Sequence, residues 1–412
     1  MEIFKIIALL IGLCASLGYI NSKFLKLPHI IGLLVLSLFT SIAFWIGATI
    51  FHWGVIQHIL DDIQQVDFSK VLLNVMLCFM LFAGAFHTNA AAILKEIRSV
   101  TILALLGTIL STFLIGGFLF FLSGFLGIEI SPIYCMLFGA LISPTDPIAV
   151  LGIISNAKIQ ERIKTNIIGE SLFNDGIGIV IFITISTMIE QGSGAVTIGS
   201  TLILFLQEAI GGLALGVVIG YLAYVVLKSI DDYQTEIMIT LALVMGGYFI
   251  ADFLHISGPL AMVVAGLIIG GERIRMEAMS TTTHTYMDKF WELVDIGLNS
   301  ILFLLIGLRL TTLSFSWEML VLSGLMIILV LLSRALTVGA LSNIFKKQIK
   351  ASSREQWILV WSGLRGGLSL AMALSIQAPA MNGILVFITY CIVLFSIIVQ
   401  GLTVEKVANI AE

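Results

Sequence analysis

The chain has 412 residues, of which 59% are apolar and only 11% charged, with six prolines, 38 glycines and a formal net charge of −4. A water-soluble globular protein carries about a quarter of its residues as charges, so this composition excludes that class and points to a protein dissolved largely in hydrocarbon. The four cysteines, Cys14, Cys78, Cys135 and Cys391, all lie in apolar runs without metal-ligand spacing. They read as small packing residues, not as a disulfide framework.

Apolar runs of about 20 residues recur from end to end, each long enough to cross a hydrocarbon core of roughly 30 Å. In chain order they predict about thirteen spans, at about 2–20, 29–51, 70–87, 100–127, 132–154, 164–190, 199–229, 234–253, 256–271, 288–311, 317–343, 354–378 and 383–407. The fold class is an all-α polytopic membrane protein occupying residues 1–412 as one unit. No small-x-small cleavage site precedes Asn21, so the first run is expected to remain as a helix. Lys23 and Lys26, Lys95 and Arg98, Lys158, Arg162 and Lys164, Lys228, Arg273, Arg275 and Lys289, and Lys346, Lys347, Lys350 and Arg354 fall in alternate loops. The loops between are short or acidic, as with Asp61, Asp62 and Asp67. The positive-inside rule then places the N-terminus outside and the C-terminus in the cytoplasm. The seventh span is long enough to require tilting or bending. Its Glu208 is expected at a helix interface or near one membrane surface.

Two spans are not expected to be whole helices. The fifth contains Ser143-Pro144-Thr145-Asp146-Pro147, where two prolines three apart should unwind the chain. Such backbone is tolerated at membrane depth only when buried in protein or lining a wet cavity. Asp146 suits the positive end of a half-helix, and freed carbonyls such as that of Thr145 suit a cation. The twelfth contains Gly363-Leu364-Arg365-Gly366-Gly367, where Arg365 suits the carbonyl ends of broken half-helices. An inverted repeat of spans 1–6 on spans 8–13 pairs the fifth with the twelfth, and paired interruptions mark a transporter's site.

The sixth span carries Gly169-Glu170-Ser171-Leu172-Phe173-Asn174-Asp175-Gly176. A carboxylate at this depth costs a few kcal/mol unless it is paired or used. Ser171 and Asp175 lie four apart and share a helix face, and Glu170 and Asn174 share the neighbouring stripe. Arg334 in the eleventh span needs an acidic partner or must snorkel. Glu170 is the expected partner, with Arg365 as the rival cation for it.

These three motifs resemble the cation/proton antiporter-1 family, specifically prokaryotic NhaP-type sodium/proton antiporters. The resemblance covers essentially the whole chain and implies an NhaA-like antiporter fold with two discontinuous crossing helices. It implies that Asp175 binds either the cation or the proton, that Ser171 and the backbone of Thr145 complete the cation shell, and that Asp146 belongs to the same site. Na+ would be held by Asp175, Ser171 and Thr145. Glu170 and Asn174 would shape the site, while Arg334 and Arg365 compensate charge. The family pattern further implies a homodimer in which core helices 4–6 and 11–13 (100–190 and 317–407) slide against dimerisation helices 1–3 and 8–10 (1–99 and 234–311), with 199–229 as linker. The third span departs from many relatives, since Leu81-Phe82-Ala83-Gly84-Ala85-Phe86-His87 has no carboxylate.

The expected activity is electroneutral exchange of Na+ (or Li+ or K+) for H+ by alternating access, in the plasma membrane of a prokaryote. Asp175 has a neutral neighbour in Asn174, so a site with one uncancelled charge is satisfied by one sodium or one proton. No cofactor, nucleotide or nucleic acid is called for, and the lipid bilayer and a second copy are the expected partners. No Gly-x-x-x-x-Gly-Lys-[Ser/Thr] run occurs, which excludes a P-loop ATPase. An enzyme is not expected: Ser362 lacks a histidine partner in a span, and Asp146 with Asp175 is in the wrong context for an aspartyl protease. The alternatives are a sodium-coupled organic-anion transporter of related fold, whose site would be roomier, and a cation channel, which would favour a pore loop or an acid repeated by symmetry. His52, His58, His255 and His284 read as loop-borne, and His29 and His87 as flanking spans.

Overall fold

Inside a bilayer every backbone polar group must be satisfied within the protein, which leaves helices or a closed barrel. The computed structural model describes residues 2–49, 71–146, 159–191, 198–308 and 316–410, and among them every regular element is helical. The expected second half of the fifth span, with Pro147 and Lys158, lies outside the described residues, as do His52, His58, Asp61, Asp62 and Asp67.

Nine helices among the described residues are long and apolar enough to cross a membrane. The bundle begins with α1 (Glu2–Ile20), α2 (His29–Thr49), α3 (Leu77–Phe86), α4 (Ile97–Phe125) and α5 (Pro132–Ile142). It continues with α6 (Glu161–Gln191), α7 (Ile198–Leu227), α8 (Tyr233–Phe253), α9 (Gly258–Ile269) and α10 (Thr281–Leu308). Then follow α11 (Trp317–Ile344), α12 (Ser353–Trp361), α13 (Gly367–Leu374) and α14 (Pro379–Phe395). The seventh span is one continuous helix of 30 residues. The twelfth is two short helices separated by non-helical backbone at 363–366, and α5 ends at Ile142 where the first proline motif begins.

Helices in lipid gain little from burying apolar surface against one another, so close packing rests on small residues. On α7, Gly212 and Gly216 lie so near α9 that an added Cβ would stand 2.5 Å from the carbonyl oxygens of Ser257 and Ala261. Gly116 of α4 meets the Cys135 carbonyl of α5 in the same way, at 2.9 Å. These seams sort neighbours: α2 runs along α10, and α3, α7 and α8 pack on α9. Elsewhere α4 packs on α5 and α11, α6 on α5, and α11 and α13 on α14. The two sets touch where Gly176 of α6 meets Leu260 of α9, and where Gly367 of α13 meets Leu302 of α10. Large apolar side chains such as Phe113, Phe121, Phe249 and Trp317 point outward, as a lipid-facing surface requires.

Candidate cation site at the crossing of two broken helices

Residues 143–146 and 363–366 cross near the middle of the bundle, and the Asp146 N–H donates to the Leu364 carbonyl at 2.8 Å. The helix ends at Ile142, so the Ser143 and Pro144 carbonyls that follow it have no helical N–H to accept from. Arg365 takes them: its guanidinium donates to the carbonyls of Ser143 and of Pro144, the latter at 2.9 Å. The Arg365 N–H is itself held by Ser396 Oγ at 2.8 Å, on a wide helical turn that follows α14. Two glycines make the crossing possible. A Cβ on Gly366 would lie 2.7 Å from the Cβ of Asp146, and one on Gly363 2.8 Å from Nε of Arg334.

Helix α6 supplies the other wall. Glu170, 2% exposed, receives both Nη atoms of Arg334, with Nη2 to Oε2 at 3.0 Å. Arg334 Nη2 also donates to the Leu359 carbonyl, at 3.0 Å. Of the two cations weighed for Glu170, the structure therefore pairs it with Arg334 and aims Arg365 at backbone. Asn174 bridges to the unwound strand: its Oδ1 accepts from Thr145 N–H at 3.2 Å, and its Nδ2 donates to Thr145 Oγ1 at 2.8 Å. Thr145 Oγ1 and Ser171 Oγ are 3.0 Å apart.

Asp175 makes no hydrogen bond or ion pair among the described residues. Together with Asp146 it walls a cavity of about 40 Å³, closed by Pro144, Leu172, Leu302 and Gly366. One water's share of liquid volume is about 30 Å³, so the space admits a single small occupant. Ser171 and Thr145 are not among the residues that line it, and their hydroxyls lie against each other. From the third span, Met80, Leu81 and Gly84 line the cavity without a carboxylate.

Asn174→Ala would remove both contacts to Thr145 and leave a buried N–H unpaired, at a cost of about 1–3 kcal/mol. A lower unfolding temperature of the purified protein in detergent is the expected result, read from tryptophan fluorescence on heating.

Two features were not found from the sequence. A cleft of about 660 Å³ opens at the end of the bundle away from the basic loops, among Glu190, Glu208, Asp252 and His255. It reaches Ile179, one helical turn from Asp175. Glu208, expected at a helix interface or near one membrane surface, is among the residues that line the cleft. The second is the polar pair Asp295 and Asn299 of α10. Asn299 Nδ2 donates to Asp295 Oδ1 at 3.0 Å and to its carbonyl at 2.9 Å. The available signal was the same four-residue spacing inside an apolar run that singles out Ser171 and Asp175. Among the histidines, His29 Nε2 meets Ser300 Oγ at 3.0 Å, and His87 meets the carbonyls of Ala83 and Asp288.

Comparison with known proteins gives a consistent result. The family described as sodium/hydrogen exchanger, transmembrane, matches residues 11–409. The chain is 43% identical to the Na+/H+ antiporter NhaP of Pseudomonas aeruginosa over 406 residues, covering 97% of this chain and 95% of that protein. It is 33% identical to the Na+/H+ antiporter NhaH of Halobacillus dabanensis, covering 98% and 96%. Among solved structures, the sodium proton antiporter MjNhaP1 of Methanocaldococcus jannaschii at pH 8 superposes with a TM-score of 0.78 at 22% identity, covering 99% of both chains.

Proposed function

The chain belongs to the transmembrane sodium/hydrogen exchanger family, and from that premise we propose that it is a secondary antiporter exchanging Na+ for H+ one for one across a prokaryotic plasma membrane. The observation that carries this reading is the Asp175 carboxylate, unpartnered among the described residues in a cavity of about 40 Å³. An organic anion does not fit that volume, whereas a sodium ion stripped of most of its water does. Hard monovalent cations take oxygen ligands, and the carboxylates of Asp175 and Asp146, the Thr145 backbone carbonyl and the Ser171 hydroxyl, once it turns toward the cavity, offer them. Glu170 and Asn174 hold α6 to its neighbours.

The crossing holds three carboxylates, Asp146, Glu170 and Asp175, and two guanidinium groups, Arg334 and Arg365. With all five charged, it is one positive charge short of neutrality. A single Na+ or a single proton supplies that charge, and the two exclude each other on Asp175. A core that crosses only when neutral exchanges one for one without current. Alternating access follows if helices in 100–190 and 317–407 move against those in 1–99 and 234–311, with 199–229 as linker and a second copy steadying the latter. Thirteen spans in an inverted repeat, with the basic loops in the cytoplasm, complete the topology proposed.

The test uses purified protein in proteoliposomes with an entrapped pH dye. Sodium, lithium or potassium is added from pH 6 to 9, with and without a potassium–valinomycin clamp. Sodium-driven proton movement should be unchanged by the clamp. Where the site is mostly protonated, each unit fall in pH should raise half-saturating sodium about tenfold, since the ligand must shed its proton first. Net current during exchange would overturn the one-for-one reading. No response to any of the three ions would overturn antiport itself.

A further inference from the structure

Asp295 is a carboxylate within an apolar span, and such a group persists when it is paired or used. Among the described residues no lysine, arginine or histidine pairs with it. Its one hydrogen-bonding side chain among them is Asn299, which is 1% exposed and gives both its contacts through Nδ2. Among the described residues the Asn299 Oδ1 is buried with no hydrogen-bond partner. A buried oxygen left without a donor needs a reason, and here it lies beside a carboxylate. Two oxygens of this kind, one charged and one neutral, are what a small hard cation recognises.

Position along α10 gives the pair its meaning. Residues 295, 299 and 302 share one helix face, and Leu302 is both a wall of the Asp175 cavity and the neighbour of Gly367. Asp295 lies within electrostatic reach of Asp146. Seven residues before Leu302, it is about 10 Å nearer the end where α10 starts. That end holds the Arg275–Asp288 ion pair and the basic loops. The wide cleft with Glu208 and Asp252 lies at the opposite end.

We propose that Asp295 and Asn299 form a second monovalent-cation position, on the basic-loop side, from which the ion passes to Asp146 and Asp175. The proposal rests on the antiport reading and adds a face-specific step to it. The cation exchanges part of its water for the Asp295 carboxylate and the Asn299 carbonyl oxygen before it reaches the crossing. From the opposite face it arrives through the wide cleft and does not visit this pair.

Face specificity is the test. Half-saturating sodium is measured in everted and in right-side-out membrane vesicles for wild type, Asp295→Asn, Asp295→Glu, Asn299→Ala and Glu292→Gln. Glu292 is an exposed acid on the same helix, paired with Lys289 at 2.7 Å, and controls for loss of charge alone. Asp295→Asn should raise half-saturating sodium about tenfold on one face, with the maximal rate affected far less. Asn299→Ala should act on the same face, and Asp295→Glu should recover most of the loss. Half-saturation within about twofold of wild type on both faces, or an equal rise on both, overturns the proposal. A wild type that does not exchange, or an Asp175→Asn variant that still does, overturns the antiport reading instead.

Discussion

Asp175→Asn is expected to lower sodium-dependent proton movement at least about a hundredfold while leaving the protein folded, because it removes a unit charge from a site of low dielectric. An amide is isosteric with the carboxylate, but it carries no titratable proton and no charge for sodium to neutralise. Every other contact at the crossing survives the change. The Asp146 N–H still reaches the Leu364 carbonyl, and Asn174 still holds Thr145. The unfolding temperature should hold or rise, since burying an unpaired carboxylate opposes folding. Loss of exchange with no loss of stability is a combination that a purely structural aspartate would not give. The measurement is dye-monitored proton movement in proteoliposomes beside thermal unfolding in detergent. If the variant still exchanges, the carrier is another group, and Asp146, in the same cavity wall, becomes the next to test.

The largest stability effect is expected at the Glu170–Arg334 pair. Both side chains are nearly inaccessible, Glu170 at 2% and Arg334 at 5%. The guanidinium is also fixed by the Leu359 carbonyl, in space that Gly363 leaves open. Arg334→Ala strands a buried carboxylate, which costs about 3–5 kcal/mol. Folded yield and unfolding temperature should both fall sharply. A variant carrying Glu170→Leu and Arg334→Met together should recover much of that loss, because a packed apolar pair avoids the desolvation penalty. A double-mutant cycle on unfolding free energy decides it. Strictly additive losses would mean that the two side chains do not act as a unit.

Much of the crossing was legible in the sequence because its signals are local. Prolines at 144 and 147 forbid regular helix, and glycines at 363, 366 and 367 permit departure from it. Four-residue spacing put Ser171 with Asp175 and Glu170 with Asn174 without reference to any other helix. What was not legible depends on which remote groups meet. The choice between Arg334 and Arg365 for Glu170 turns on the direction of two side chains from different helices. That Arg365 suits carbonyl ends was legible; that it takes those of Ser143 and Pro144 in particular was not. Ser171 and Thr145 satisfy each other, a contact between residues 26 apart. Asp295 went unnoticed because a single acid in an apolar run looks the same whether it faces lipid, a partner helix or a cavity. The sequence placed Glu208 at a helix interface or near a membrane surface and not in a cleft, because the cleft is made by helices α3, α5, α6, α7, α8, α9 and α13 together and belongs to none of their sequences.

The mouth that holds Glu190 and Asp252 treats every monovalent cation alike, whichever way it travels. Negative groups around a low-dielectric recess enrich sodium and hydronium over bulk by the same electrostatic factor. The recess that hastens capture of an arriving ion therefore also returns a departing one to its seat. On the proposed route, back-binding of released cargo through this opening acts as a brake set by the vestibule's charge and not by the affinity of the seat. Ionic screening loosens it: at 1 M salt the Debye length shrinks to about 3 Å, less than the width of such a recess. Turnover limited by recapture would then be faster in brine than in dilute medium at the same ion ratio.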